Sequence, residues 1–172
     1  MTRPIDDLNA LPAEDAAEAL GACCGAHRWV RAMVARRPFA SIDDALSAAD
    51  DAWAPLGPGD WREAFSHHPR IGEQHSEQAQ GVRAAAWSAG EQGAVGSATD
   101  HARAELAQVN RDYEAKFGHI YIVCAAGKTV GELLAIARRR LQNESAAELR
   151  VAAREQHQIT RLRLRKLLSE PP

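Results

Sequence analysis

An all-α fold is what this sequence predicts: one domain over residues 1–172, a bundle of about eight helices with a single short extended segment near 120–125. Three observations carry it. Ala, Leu, Glu, Arg and Gln, the strong helix formers, dominate the chain. Aromatic residues make up only 5%, so the side chains that favour strands are scarce. Apolar residues recur three to four apart between proline and glycine breaks, which is helical rather than strand periodicity. With 172 residues and 45% hydrophobic content, one core can bury roughly two-thirds of the unfolded surface.

Pro12 opens a first helix to about Cys24, ended by Gly25. His27 to Arg36 forms a second, with Trp29, Val30 and Met33 on one side, and Pro38 separates it from the next. Ser41-Ile42-Asp43-Asp44 has N-cap character and starts a third helix carrying Ala45, Leu46, Ala49 and Trp53. Pro55 to Gly59 breaks the chain, and a short helix from Asp60 follows with Trp61, Ala64 and Phe65. Periodicity is lost from His67 to about Gln78. Ser88-x-x-Glu91 has the spacing of a capping box at a helix start. Thr99 to Phe117 is a long amphipathic helix with Ala102, Leu106, Val109 and Tyr113 in register, stopped by Gly118. Ile120 to Val123, β-branched and aromatic between two glycines, reads as a buried extended segment with no second strand to pair with. Thr129 caps a helix to Leu141, and Ser145-x-x-Glu148 is a capping box opening a final helix to about Leu168.

A formal net charge of −2 supplies no global basic field, so nucleic acid is not an expected partner. No window of roughly 18 uncharged apolar residues occurs and the first residues lack an apolar signal region, so neither secretion nor a membrane span is expected. The chain ends Ser169-Glu170-Pro171-Pro172, which is not an S-K-L peroxisomal address. Cys23, Cys24 and Cys124 form an odd set without C-x-x-C spacing, which suits a reducing cytoplasm.

The chemistry-bearing stretch is Phe65-Ser66-His67-His68-Pro69-Arg70-Ile71-Gly72-Glu73. A residue before proline is held to extended geometry, so the His68 ring sits on a restricted loop, and an imidazole near neutral pKa is a ready acid or base. Taken alone, His67 and His68 are equally ordinary loop histidines. His67, His68 and His75 with Glu73 or Glu77 lack the i, i+4 helical pairing of an H-E-x-x-H site, and no metal is expected. Gly127-Lys128-Thr129 mimics the end of a phosphate loop, but Ile122 occupies the position that needs the first glycine.

His67-His68-Pro69, Trp87-Ser88-Ala89-Gly90-Glu91-Gln92, Lys116 to Lys128 and the tail Gln156…Ile159-Thr160-Arg161-Leu162-Arg163-Leu164 together resemble the OHCU decarboxylase family of uric acid degradation. The resemblance runs over nearly the whole chain. It implies a cofactor-free decarboxylase of 2-oxo-4-hydroxy-4-carboxy-5-ureidoimidazoline that yields (S)-allantoin, acting as a homodimer. It selects His68 over His67 as the catalytic histidine and places substrate-binding or catalytic roles on Pro69, Ser88, Glu91 and Gln92. Glu91 beside His68 would fix the imidazole tautomer. Gln92 can both donate to and accept from a ureido group or ring amide. A capped helix end at Ser88 could double as a binding site for an anionic group. The resemblance sets the backbone of Tyr121, Ile122, Val123, Cys124 and Ala125 against the heterocycle, and Arg163 against a carboxylate or carbonyl. Arg70 follows the proline where many relatives carry an acidic or amide residue.

Two other readings compete: a decarboxylase or hydrolase of another ureido-heterocycle, and a helical interaction module whose basic final helix, Arg150 to Lys166, docks nucleic acid or a partner. In that helix Leu149, Ile159, Leu162 and Leu167 look like a core stripe, which favours packing over docking.

Overall fold

The computed structural model describes residues 4–73, 81–96 and 98–169. The elements are α1 (Pro4–Ala10), α2 (Ala13–Gly21), α3 (His27–Arg36), α4 (Ile42–Trp53), α5 (Pro58–Ser66), α6 (Val82–Glu91), the single turn α7 (Gly93–Gly96), α8 (Asp100–Phe117), α9 (Val130–Arg140) and α10 (Ser145–Ser169). No strand occurs among the described residues. The chain divides into two compact units, one of Met1–Ala64 with His157–Pro172 and one of Phe65–Gln156.

In the first unit, α3 packs with α2 and α4. Trp29 is fully buried, and its indole N–H donates to the Ala49 carbonyl at 3.2 Å, so the polar edge of the largest core side chain is satisfied. Ser41 caps α4 by accepting from Asp44 N–H at 3.1 Å, and Asp44 accepts in return from Ala40 N–H at 2.9 Å. Helix α1 has only seven residues, too few for a periodic signal, and tertiary bonds hold it. Asn9 exchanges two 2.8 Å hydrogen bonds with the Phe39 backbone, and Arg37 donates to the Leu8 and Leu11 carbonyls at 2.7 and 2.9 Å. These last two close the C-terminal carbonyls of α1. The C-terminal part of α10 is tied to α4: Arg161 pairs with Asp50, His157 Nε2 lies 2.8 Å from Asp50, and the His157 ring stacks on Trp53 at 5.4 Å.

In the second unit, α8 lays Leu106, Val109, Tyr113 and Phe117 against Tyr121, Val123 and the buried face of α9. Thr99 caps α8 through Ala102 N–H at 3.2 Å, and Gly118, at φ +71°, stops it. Residues 120–125 form neither helix nor strand. Thr129 and Glu132 form a complete capping box on α9.

Several boundaries differ from the expected ones. α2 stops at Gly21 because the amides of Cys23 and Cys24 both turn back to the Leu20 carbonyl. α5 starts at Pro58, two residues before Asp60, since a proline's missing N–H is harmless in a first turn. Ser88 and Glu91 do not open a helix: they lie in the last turn of α6, whose N-cap is Gly81. The Ser145-x-x-Glu148 capping box is also overturned. Ser145 is already helical and exposed, and Glu148 turns fully inward. Along α10 the buried apolar positions include Leu149, Ile159, Leu164 and Leu168, while Leu162 and Leu167 are only partly covered.

Candidate active site

The polypeptide leaving α5 carries His68 and Pro69, both buried. The His68 amide donates to the Phe65 carbonyl at 3.0 Å, extending the last turn by one bond before proline forces the chain extended. Four hydrogen bonds then pin Arg70, Ile71 and Gly72. Arg70 grips Glu114 of α8 through two guanidinium nitrogens, the Nη2 contact being 3.0 Å. Asn110 of α8, itself buried, donates to the Ile71 carbonyl at 2.8 Å. Gly72 N–H donates to the Gln92 side-chain oxygen at 2.8 Å. Gly72 is at φ +90°, where a side chain is strained, and a Cβ there would stand 3.3 Å from Leu106. The histidine loop is thus held by α8 from one side and by the end of α6 from the other.

Ser88 in the last turn of α6 and Gln92, its C-cap, are four residues apart. Ser88 is buried, and its carbonyl accepts from the Gln92 amide at 3.1 Å. With Pro69 and Gly72 of the loop they border a cavity of about 660 Å³, whose charged lining residues among the described ones are Glu73 and Arg103. That volume lies within the usual range for a small-molecule site. Arg103, in the second turn of α8, was not singled out by the sequence: a lone arginine on an amphipathic helix reads as solvated surface.

The structure therefore gathers Pro69, Ser88 and Gln92 around one cavity. His68 adjoins it in sequence but is not among its lining residues, and neither are Glu91 and the 121–125 segment. Within that segment several backbone groups already have protein partners. Arg140 donates to the Ile122 carbonyl at 2.8 Å, Glu155 accepts from Cys124 N–H at 2.8 Å, and Lys128 donates to the Cys124 carbonyl at 2.5 Å. Burial raises the Cys124 thiol pKa, so this cysteine is no ready nucleophile.

Behind the segment lies a buried polar network that the sequence did not reveal. The Glu148 carboxylate accepts from Arg140 Nε at 2.7 Å, from Asn143 at 2.7 Å and from the Tyr113 hydroxyl. The Arg140 guanidinium also rests over the Tyr121 ring at 5.0 Å. Burial raises the Tyr113 hydroxyl pKa, which keeps that hydroxyl a donor. His119 is likewise enclosed by rings, at 5.2 Å from Phe65 and 5.5 Å from Tyr113.

Arg163 belongs to the other unit. It is 3% exposed and donates to the Ala22 carbonyl at 3.3 Å, so it is not one charge of a solvated face. Gln156, Thr160 and Arg163 form a buried polar row on α10, an arrangement that is costly unless each member is satisfied. Nearby Cys24 is fully buried, and desolvation pushes its thiol up to about 11. Among the described residues, no group of three His, Cys, Asp or Glu side chains could hold a metal ion; His75 and Glu77 lie outside them. No helix among the described residues is long and apolar enough to cross a membrane.

Residues 9–165 match the OHCU decarboxylase family. The chain belongs to that family. It is 37% identical over 148 residues to the uric acid degradation bifunctional protein TTL of Arabidopsis thaliana, covering 86% of this chain and 46% of that protein. With the uric acid degradation bifunctional protein PucL of Bacillus subtilis (strain 168) it shares 25% identity over 173 residues, 96% of this chain and 33% of that one. The chain thus spans less than half the length of these two family relatives. A crystal structure of OHCU decarboxylase in the presence of (S)-allantoin superposes with a TM-score of 0.74 at 36% identity, covering 88% of this chain and 97% of that one. A crystal structure of (S)-allantoin synthase shares the fold, with a TM-score of 0.67 at 19% identity over 95% of this chain and 54% of that one. The all-α expectation and the family resemblance both hold.

Proposed function

We propose that this chain is a carboxy-lyase that converts 2-oxo-4-hydroxy-4-carboxy-5-ureidoimidazoline to (S)-allantoin in urate catabolism, without a cofactor or metal. The observation that carries this reading is the meeting of Pro69, Ser88 and Gln92 around one cavity, at the foot of a clamped His68 loop, in a chain of the OHCU decarboxylase family. The substrate supplies its own electron sink: as the C–CO2 bond breaks, the pair enters the neighbouring ring C=N, so neither pyridoxal nor thiamine is needed. What remains for the protein is orientation and proton transfer.

His68 is the acid or base at the substrate hydroxyl or the carbanionic centre, and Glu91 tunes or orients it. Ser88, Gln92 and the backbone of Tyr121, Ile122, Val123, Cys124 and Ala125 orient the heterocycle; since Ile122 and Cys124 already spend backbone groups on Arg140, Glu155 and Lys128, the segment offers those that are left. Arg163 recognises a carboxylate or carbonyl, the task a buried guanidinium suits best. Residues 1–172 act as one catalytic domain, a cytoplasmic homodimer with no nucleic-acid or membrane partner; sedimentation of the purified chain tests the dimer.

The deciding experiment follows circular dichroism while substrate is generated in place from urate by urate oxidase and hydroxyisourate hydrolase. A rapid (S)-allantoin signal that disappears in His68→Gln is expected. A trace no faster than the spontaneous racemic decay sinks the proposal.

A further inference from the structure

We infer that Arg70 is a positioning residue for His68, anchored on α8 through Glu114, and that it takes no part in binding substrate. The inference rests on the decarboxylase reading and deepens it, by giving a task to the side chain that directly follows the histidine–proline pair.

Three consecutive loop residues dock on three residues of α8. Arg70 meets Glu114, the Ile71 carbonyl meets Asn110, and Leu106 closes the space beside Gly72. These partners are spaced four apart on the helix, so they form one stripe, and the loop runs along it in the opposite direction. The Ile71 carbonyl can only accept, so the amide nitrogen of Asn110 faces it. The side-chain oxygen of Asn110 is left buried, without a hydrogen-bond partner among the described residues. Burying an unpaired polar atom is unfavourable, so this asparagine serves the loop rather than the core.

What is fixed on α8 reaches His68 through few soft torsions. Upstream, the His68 amide is bonded to the Phe65 carbonyl at 3.0 Å. Downstream, Arg70 and Ile71 are held by the stripe. Between these two points the Pro69 ring locks its own φ and restricts His68 to extended geometry. A shift of Arg70 therefore turns His68 instead of being absorbed by the chain. All three guanidinium nitrogens of Arg70 are engaged by protein: Nε and Nη2 by Glu114, and Nη1 by Glu73 at 3.3 Å. Among the described residues Pro69, Gly72 and Glu73 line the cavity, but Arg70 does not. The guanidinium is turned to α8, which is the arrangement of an anchor and not of a ligand contact.

The two consequences of losing this anchor differ in size. Proton transfer needs its partners at hydrogen-bond distance, and a displacement of about 1 Å can lower the rate about a hundredfold. The Arg70 side chain is 43% exposed, however, and an ion pair that open to water adds little to stability. Turnover should therefore respond where melting hardly does.

The test reverses the charges. Arg70→Glu gathers carboxylates at positions 70, 73 and 114, Glu114→Arg opposes two guanidinium groups, and the double variant restores an ion pair. Each single variant is expected to lower kcat for (S)-allantoin formation about tenfold or more, with the inhibition constant of (S)-allantoin within about twofold of wild type and Tm within about 3 °C. The double variant is expected to recover most of the lost kcat. An unchanged kcat, a loss that the double variant does not recover, or a weakened allantoin inhibition each overturns the inference. Should a reversal unfold the chain, Glu114→Gln decides by the same readings. A readout independent of turnover is the set of His68 ring signals in proton NMR, assigned by their loss in His68→Gln. They are expected to move in Arg70→Glu and return in the double variant, and signals that stay in place overturn the anchor whatever the activity. A wild-type chain that does not speed (S)-allantoin formation instead removes the decarboxylase reading, and the catalytic task of Arg70 with it.

Discussion

Replacing Glu148 by alanine should destabilise the protein severely, and the structure says by how much. Glu148 is 0% exposed and Arg140 4%. Their guanidinium–carboxylate contacts are 2.6 and 2.7 Å, and Asn143 and Tyr113 complete the shell of the carboxylate. Removing the carboxylate leaves a buried guanidinium with the neutral Ile122 carbonyl and Tyr113 hydroxyl as its remaining polar contacts. An uncompensated buried charge of this kind costs about 3–5 kcal/mol. Against a total stability of about 5–15 kcal/mol that is a large fraction, and for a chain of this length it lowers Tm by roughly 6–20 °C. Urea unfolding followed by tryptophan fluorescence measures it, with an unchanged m-value showing that the same surface unfolds. The double variant Arg140→Met with Glu148→Leu is the control, because an apolar pair removes both charges and should recover most of the loss. A Glu148→Ala protein within about 1 kcal/mol of wild type would refute the reasoning, since it would mean that Arg140 reaches water once its partner is gone.

Two further predictions concern other parts of the fold. Burial lowers the His157 imidazole pKa, outweighing the opposite pull of Asp50, with Arg161 and Trp53 as its other neighbours. A folded-state pKa below the unfolded one means that the unfolded chain binds the extra proton, so stability should fall as pH drops from about 6.5, and His157→Gln should flatten the Tm profile there. Asp50 is also raised by burial, but its bonds with Arg161 prevail and lower its pKa, so its contribution is present above the ordinary carboxylate value and fades as pH falls through the depressed one. Gly72→Ala places a Cβ at φ +90° and 3.3 Å from Leu106, and should destabilise by about 1–3 kcal/mol while lowering kcat/KM through displacement of the His68 loop; full activity with an unchanged melting temperature would contradict the clamp.

Where a local signal and its local partner lie within one turn, the sequence was readable. Ser41, Thr99 and Thr129 cap helices as their spacing implies, because the group each satisfies is three residues away in the chain. Gly118 stops α8 for an equally local reason. The same logic misled at Ser88-x-x-Glu91 and Ser145-x-x-Glu148, which carry capping-box spacing without capping a helix. Capping-box spacing cannot distinguish a Glu that reaches back to its own N-cap from one that meets Arg140, eight residues before it, and Tyr113, 35 residues away. α1 was missed because seven residues carry too little periodicity, and its anchors, Arg37 and Asn9–Phe39, are about thirty residues apart in the chain.

The sequence by itself determined the helical class, the order of the long helices and the family, since these follow from composition, spacing and an ordered set of motifs that survive without knowledge of any distant contact. It also determined which residues to look for. Only the tertiary structure decided what each of them faces: that Gln92 turns its oxygen to Gly72, that Arg103 joins the cavity, that Arg163 is buried, and that Glu148 is a core acid. The reason is physical. Helix formation is set by groups within a turn of one another, whereas the orientation of an amide or the burial of a charge is set by whichever distant donor or acceptor the packed chain brings within 3 Å.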